Sequence, residues 1–346
     1  MFIALTWTLT VNAQGSKPQV TKKIAEGIKL RDGGKSGEAY AAFEEAQALD
    51  PDSKDVRFQI AYTHFVKADD MGLSVSKWLK SPEGIDNVSQ EAFEMRIGNY
   101  KLFQLRDKAI AAYEEGVKKY PGYGPLYFQR GWMEYSYSKG RPDRGLEFFE
   151  KGVVAAPAYA NNYYYSAVIN CDIGDKMWGL IYGEYFMNLN RNTVLTDKMS
   201  KLLCDTYSTY IATLVNNGQL KKGNSTYAGI PGSNNSFKDD YLFGLGYGIQ
   251  AVDDYQLKSL VEIGSRFAGH TSRFNKKNRI ALFEYLLQIK LAGQSRCYYY
   301  WLLGADSKDA SQWISENKAA WNMFIAWFID HPFVINQNNK LDKAKL

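Results

Sequence analysis

The sequence predicts an all-α protein, with a solenoid of helix-turn-helix units in its first half and a further helical module after it. One pattern carries most of this prediction: a small residue, an aromatic four positions on, a small residue three further on and a proline five further on. Offsets of three and four place side chains on one face of a helix, and a proline ends the helix. The pattern occurs twice, 36 residues apart, as Ala109, Tyr113, Gly116 and Pro121 and as Gly145, Phe149, Gly152 and Pro157. A period of that length is typical of stacked helical repeats.

Composition agrees with a folded, largely buried chain. Of the 346 residues, 45% are hydrophobic, enough for a large core or for a solenoid with a module attached. The formal net charge of +5 comes from 42 basic and 37 acidic residues that are spread along the chain. Because no basic stripe or basic-aromatic motif accompanies this charge, we predict no nucleic-acid partner. Cys171, Cys204 and Cys297 lack the spacing of metal or redox motifs and are predicted to be buried free thiols.

The N-terminal residues resemble a secretion signal. Residues 1–11 form an apolar run that is too short to span a bilayer, and Val11 and Ala13 precede Gln14 in a small-x-Ala cleavage pattern. We therefore predict a signal peptide at 1–13, without the usual basic first region, and a mature chain in the periplasm of a Gram-negative bacterium or outside the cell. The alternative is a short buried first helix. No later stretch is apolar enough to predict a transmembrane span.

The first repeat, at 20–51, has the clearest register. Gly27 and Leu30 fall in its first helix, and its second helix contains the run Glu-Ala-Tyr-Ala-Ala-Phe-Glu-Glu-Ala at 38–46, closed by Leu-Asp-Pro at 49–51. This run resembles the second helix of the tetratricopeptide repeat (TPR) family. The resemblance extends over about residues 20–190, half of the chain, and implies a stack of helix pairs.

The later repeats vary in how well they match. The second has Phe58, Ala61, Tyr62 and Phe65 in its first helix, but its second helix is degenerate, with Ser74, Trp78 and Ser81 at the expected spacing. The third and fourth end in the two patterns described first. A fifth unit at 160–190 lacks the closing proline, and one more amphipathic helix is predicted at 193–215. The predicted repeat domain therefore spans 20–215.

A Gly-, Ser- and Asn-rich stretch at 216–238 has no helical period and is predicted to be a linker. Beyond it, a helical module at 239–335 resembles no family that we identify. Its predicted helices lie at 239–252, 255–268, 276–291, 296–303 and 309–329. The last of these is rich in tryptophan and phenylalanine and is predicted to be core or a cap on the repeats. The polar tail at 336–346 is predicted to be flexible.

No pattern of catalytic or metal-binding residues is present. His64, His270 and His331 are isolated, no His-Glu-x-x-His or ligand-spaced cysteine pair occurs, and there is no phosphate-binding loop or Gly-x-Ser-x-Gly. We therefore predict that the protein is not an enzyme and that it needs no metal or cofactor.

The TPR resemblance implies a binding surface. In that family the first helices of successive repeats line a concave groove that holds peptides or helices of partner proteins. Eight positions, mixed polar and aromatic, would line this groove here: Gln59, Thr63, Glu94, Lys101, Gln129, Met133, Tyr137 and Tyr164. They lack the lysine and arginine clamp of a reader of terminal carboxylates, and they are equally compatible with ordinary solvated helix faces.

The sequence thus predicts a non-catalytic scaffold or adaptor that binds a protein or peptide in the cell envelope. Two alternatives stay open. The C-terminal module could carry a small-ligand or enzymatic site with the repeats as a docking arm. The aromatic C-terminal helix could instead mediate self-association in a purely structural role.

Overall fold

The computed structural model describes residues 9–67, 89–138, 140–220, 236–274 and 276–346. The chain forms two compact units, Met1–Pro121 and Gly122–Leu346. Within the described ranges there are sixteen α-helices, three short 3-10 turns and no β-strand. The predicted all-α fold is therefore confirmed for this part of the chain.

The first unit contains five described helices, in which α1 packs on α2 and α4 packs on α5. They are α1 Leu9–Asp32, α2 Ser36–Leu49, α3 Lys54–Lys67, α4 Gln90–Leu102 and α5 Arg106–Lys119. Gly34 makes the turn between α1 and α2 with a φ of +78°, which a residue with a side chain rarely adopts. The predicted second helix of repeat two, with Ser74, Trp78 and Ser81, lies outside the described residues, as do residues 1–8 of the predicted signal peptide.

The small and aromatic positions of the first repeat meet in its core. Phe43 of α2 is fully buried, and its ring lies against Gly27 of α1 so closely that a Cβ at Gly27 would overlap it. The same cluster includes Val20, Val56 and Ile60, which extend the packing from α1 to α3. The register predicted from the sequence therefore corresponds to a physical contact between paired helices.

The second unit contains the remaining helices. They are α6 Gly124–Tyr137, α7 Asp143–Ala155, α8 Ala160–Ile173, α9 Lys176–Leu189, α10 Val194–Asn216, α11 Phe237–Ile249, α12 Leu257–His270, α13 Ala281–Leu291, α14 Ser295–Leu303, α15 Lys308–Glu316 and α16 Lys318–Asp330. In the α6–α7 pair, a Cβ at Gly131 would lie 2.7 Å from Cε1 of Phe149, and one at Gly145 would lie 2.8 Å from the Gly131 carbonyl oxygen. This is the same glycine-under-phenylalanine contact as in the first unit.

Helix α9 is the central element of the second unit. Twelve of its fourteen residues are buried, because α8 covers one side of it and later helices cover the other. One hydrophobic cluster runs from Val153 through α9 and the C-terminal helices to Leu341. The fifth repeat unit and the predicted module at 239–335 therefore share one core. Residues 221–235, most of the predicted linker, lie outside the described part of the chain.

The aromatic C-terminal segment differs from its prediction. A single helix was predicted at 309–329, but α15 ends at Glu316 and α16 begins at Lys318. Asn317 separates them with φ −117° and ψ 33°, and its side-chain amide donates to the Trp313 carbonyl at 2.9 Å. Asparagine side chains compete in this way with backbone hydrogen bonds, which explains the break. Phe324 and Phe328 of α16 are buried, whereas Met323 and Ile329 are exposed.

The three cysteines are free thiols, as predicted; Cys297 is buried and Cys171 and Cys204 are half-buried. Burial raises the pKa of each thiol, which reduces its reactivity.

Candidate polypeptide-binding surface

Residues 336–346, which we call the tail segment, pack against the helices of the second unit. The sequence predicted a flexible tail, whereas this segment is packed. Pro332 follows the end of α16, and the chain then alternates buried Phe333, exposed Val334 and buried Ile335, as an extended strand-like stretch does. Within the tail segment, Leu341 is only 1% exposed and belongs to the core cluster of the unit. Burying such a leucine stabilises the packed position by about 1.5–3 kcal/mol.

Polar contacts fix the tail segment on two helices. The side-chain amide of Gln337 donates to the carbonyl oxygen of Ala155, at the end of α7, at 2.9 Å. The ammonium of Lys343 lies 3.3 Å from a carboxylate oxygen of Glu150 in α7 and 3.3 Å from one of Asp175, which precedes α9. It also lies 5.1 Å from the centre of the Trp178 indole ring. Lys343 thus sits between two carboxylates and over an aromatic face.

The groups around Lys343 are themselves held in place. Trp178 is buried and stacks on Phe237 of α11, with ring centres 5.1 Å apart and planes 11° apart. The Tyr182 hydroxyl donates to Glu150 at 3.1 Å, and burial, followed by the nearby Glu150 charge, raises the pKa of Tyr182 well above its usual value. Tyr182 therefore stays protonated and orients the Glu150 carboxylate.

Open volume lies on both sides of Lys343. A cavity of about 530 Å³ is lined by Tyr127 of α6, by Glu147, Glu150 and Val153 of α7, by Tyr182 of α9 and by the tail segment. A second cavity of about 490 Å³ is lined by the start of α9, by Tyr210 and Leu214 of α10, by the start of α11 and by Lys343 and Leu346. The tail segment therefore fills only part of a larger depression on this unit.

We call this whole area the tail-binding surface: the parts of α6, α7, α9, α10 and the start of α11 that contact the tail segment or line the two cavities. The Lys343 ion pairs are part-exposed, with side-chain exposures of 28–43%, so solvent screens them and each contributes at most about 1 kcal/mol. The attachment therefore rests on the buried Leu341, on the partly buried Leu346 and on several modest polar contacts together.

The groove residues predicted in the first unit are mostly engaged within it. Gln59 accepts a hydrogen bond from Arg31 at 2.7 Å, and buried Thr63 donates to the Gln59 carbonyl. Glu94 is buried and accepts from the Tyr62 hydroxyl at 2.9 Å. Burial lowers the pKa of Lys101 to about 8. These four side chains therefore mainly contact other residues of the first unit and offer little open surface.

In the second unit the predicted groove residues are divided. Met133 is 0% exposed and Gln129 is buried, so neither offers surface to a partner in this conformation. Tyr137 is 43% exposed, and half-buried Tyr164 packs edge-on against Phe186 at 5.0 Å. Only Tyr137 and Tyr164 of these four are therefore accessible. None of the eight predicted residues contributes to the tail-binding surface.

The residues that hold the tail segment were missed because they lie in second helices, at the start of a second helix, or in the tail itself. Glu150 and Trp178 lie outside the first-helix positions that the TPR resemblance implies. The signal in the sequence was a pair of leucines, Leu341 and Leu346, in a mostly polar tail, the first of them followed two positions later by Lys343. Leucines in such a polar segment indicate anchors that pack against another part of the chain.

A buried polar cluster also lies in the core of this unit. Glu184 of α9 is buried and accepts a hydrogen bond from the Tyr207 hydroxyl of α10, while Asn188, one turn later, donates to Tyr298 of α14 at 2.8 Å. Burial raises the pKa of Glu184 to about 7, and the Tyr207 hydrogen bond opposes the rise. The cavity nearest to Tyr207 and Tyr299 measures about 10 Å³, room for no more than one water.

Among the described residues, no group of three or more His, Cys, Asp or Glu side chains could hold a metal ion. None of the described helices has the length and apolar character needed to cross a membrane. In comparisons with known proteins, no protein-family model and no curated protein matches this chain.

Proposed function

We propose that the protein is a non-catalytic scaffold whose second unit binds a short segment of a partner protein on the tail-binding surface. The observation that supports this most directly is the tail segment itself. A stretch of eleven mostly polar residues is seated there by the buried Leu341, by Gln337 and by Lys343. A surface that holds this chain segment has the shape and the polar groups to hold another of similar chemistry.

The chemistry of the surface fits peptide recognition. An apolar depression receives a side chain, a backbone carbonyl at a helix end accepts a hydrogen bond, and carboxylates beside an indole attract a cation. We propose that this takes place in the cell envelope or outside the cell, a location that rests on the predicted signal peptide alone. The groove predicted from the first helices has less accessible surface to offer, since Met133 and Gln129 are buried.

The test uses the whole chain with its own tail displaced. We define the tail-released variant as the full chain carrying Leu341→Asp and Lys343→Glu, which removes the anchor and reverses the charge. A fluorescent peptide with the natural sequence of residues 336–346 is titrated against it, and binding is followed by fluorescence anisotropy. We expect saturable binding, weakened about fivefold when Lys343 of the peptide is replaced by alanine, which corresponds to about 1 kcal/mol.

Lys345 provides the matched control. Its ammonium pairs with Asp342 inside the tail segment, and its side chain is 74% exposed. The Lys345→Ala peptide carries the same charge change and should bind like the natural peptide. Absence of saturable binding at millimolar peptide, with a tail-released variant that unfolds as cooperatively as the natural chain, would contradict the proposed function. Equal losses for the two peptides would show that bulk charge drives the binding.

A further inference from the structure

The seated tail segment indicates which feature of a partner the surface recognises. Leu341 is the most deeply buried side chain of the tail segment. Lys343, two positions later, lies between the carboxylates of Glu150 and Asp175. The residue between them, Asp342, pairs with Lys345 of the same segment at 2.9 Å. The surface therefore reads an apolar side chain and a cation separated by one residue.

The cation site favours a planar group as well as an ammonium. Lys343 has one nitrogen, which lies 3.3 Å from each of two carboxylates and 5.1 Å from the ring centre of Trp178. A guanidinium presents several N–H donors in a plane, so it can bond to both carboxylates while it stacks on the indole. Arginine at this position should therefore bind more tightly than lysine.

The tail segment is also tethered beside the surface, which gives it an effective concentration in the millimolar range. A partner segment must compete with it. The contacts that hold it are few, and the ion pairs are part-exposed, so it is displaceable. Building on the proposed function, we infer that partner segments carry an apolar residue two positions before a lysine or arginine, and that residues 336–346 occupy the surface until such a segment displaces them.

The experiment compares the natural chain with the tail-released variant, using three labelled peptides based on residues 336–346. The first has the natural sequence, the second has Lys343→Arg, and the third exchanges Asp342 and Lys343 so that composition and charge are unchanged. We expect the tail-released variant to bind the arginine peptide more tightly than the natural one, and the exchanged peptide at least about fivefold more weakly than the natural one. We expect the natural chain to bind every peptide at least about tenfold more weakly than the tail-released variant does.

Each outcome bears on a separate part of the inference. Equal binding of the natural and exchanged peptides would overturn the recognition rule while leaving a peptide-binding site in place. Equal affinity of the natural chain and the tail-released variant would overturn the role of the tail as a competitor. If the tail-released variant folds and binds none of the peptides, the proposed function fails and the inference fails with it.

Discussion

The ammonium of Lys343 lies 3.3 Å from a carboxylate oxygen of Asp175, a residue 168 positions earlier in the chain. The same ammonium lies 3.3 Å from Glu150, so one side chain near the end of the chain joins the helix pair α6–α7 to the pair α8–α9. The tail segment is consequently part of the second unit. This relationship is what makes the surface of α7 and α9 a candidate for binding other segments.

Replacing Lys343 should loosen the tail segment in the intact chain. Lys343→Ala removes both ion pairs and the contact with Trp178, together worth about 1 kcal/mol. The fraction of molecules with a detached tail segment should rise about fivefold, and trypsin cleavage after Lys340 should accelerate by the same factor. Lys345→Ala is the control and should leave that rate unchanged. Identical rates for the two variants would indicate that Lys343 does not hold the tail.

The buried carboxyl of Glu184 should make stability depend on pH. Its pKa is about 7 in the folded state and near the ordinary value of 4.5 when unfolded, so the folded state binds more protons between these two pH values. The contribution of Glu184 to the free energy of unfolding is therefore fully present below about pH 4.5 and is lost as the pH rises to about 7. At about 1.4 kcal/mol for each tenfold change in proton affinity, the loss is about 3 kcal/mol.

Glu184→Gln tests this pH dependence. Denaturant unfolding of the variant and of the natural chain should give similar free energies of unfolding near pH 4.5. Near pH 8 the variant should be more stable than the natural chain by about 2–3 kcal/mol, because its amide needs no deprotonated form. A difference between the two proteins that is constant across this pH range would show that Glu184 does not titrate as described.

The contact between Gly131 and Phe149 should be intolerant of added volume. A Cβ at Gly131 would lie 2.7 Å from the Phe149 ring, whereas one at Gly246 in α11 meets its nearest atom, in Leu220, at 3.5 Å. We expect Gly131→Ala to destabilise the second unit by about 1–3 kcal/mol. Gly246→Ala should be neutral or slightly stabilising, since alanine is the better helix former. Thermal unfolding of both variants measures the difference, and equal melting temperatures would be contrary to this packing.

Arg191 should resist replacement by lysine. Its guanidinium donates to the Phe328 carbonyl and to the Tyr285 hydroxyl, and it lies 3.4 Å from the Phe328 ring centre. A lysine cannot reproduce this planar set of contacts, so Arg191→Lys should lower the free energy of unfolding by about 1–3 kcal/mol. The side chain of Arg296 is 61% exposed and pairs with Glu262. Arg296→Lys should therefore change the free energy of unfolding by less than about 0.5 kcal/mol. Similar effects of the two substitutions would argue against a structural role for Arg191.

Local patterns predicted the helix pairs well, because spacings of three and four along a helix fix which side chains share a face. The Gly131–Phe149 contact follows from such a pattern. The break at Asn317 was missed because the surrounding apolar spacing continues through it. Which helix faces are covered depends on residues far away in the sequence, and this is why Met133 and Thr63 were expected in a groove but are buried.

The packed tail could not be predicted for the same reason. Leu341 is one of two leucines in a mostly polar segment, and its burial depends on α7 and α9, more than 150 residues away. The central position of α9 did have a local sign, since its sequence is apolar on nearly every face, which is typical of a helix covered on all sides.

The most direct test of the tail-binding surface is a photo-crosslinking map. The peptide of residues 336–346 carries a benzophenone side chain in place of Ala344, which lines the cavity of about 530 Å³, so that Leu341 and Lys343 are kept. It is irradiated with the tail-released variant, and the cross-linked residues are located by mass spectrometry. Cross-links within 147–155 of α7 and around Tyr127 and Tyr182 are expected. Cross-links that instead map to Tyr137, Tyr164 or the first unit, unaffected by excess unlabelled natural peptide, would contradict binding at this surface.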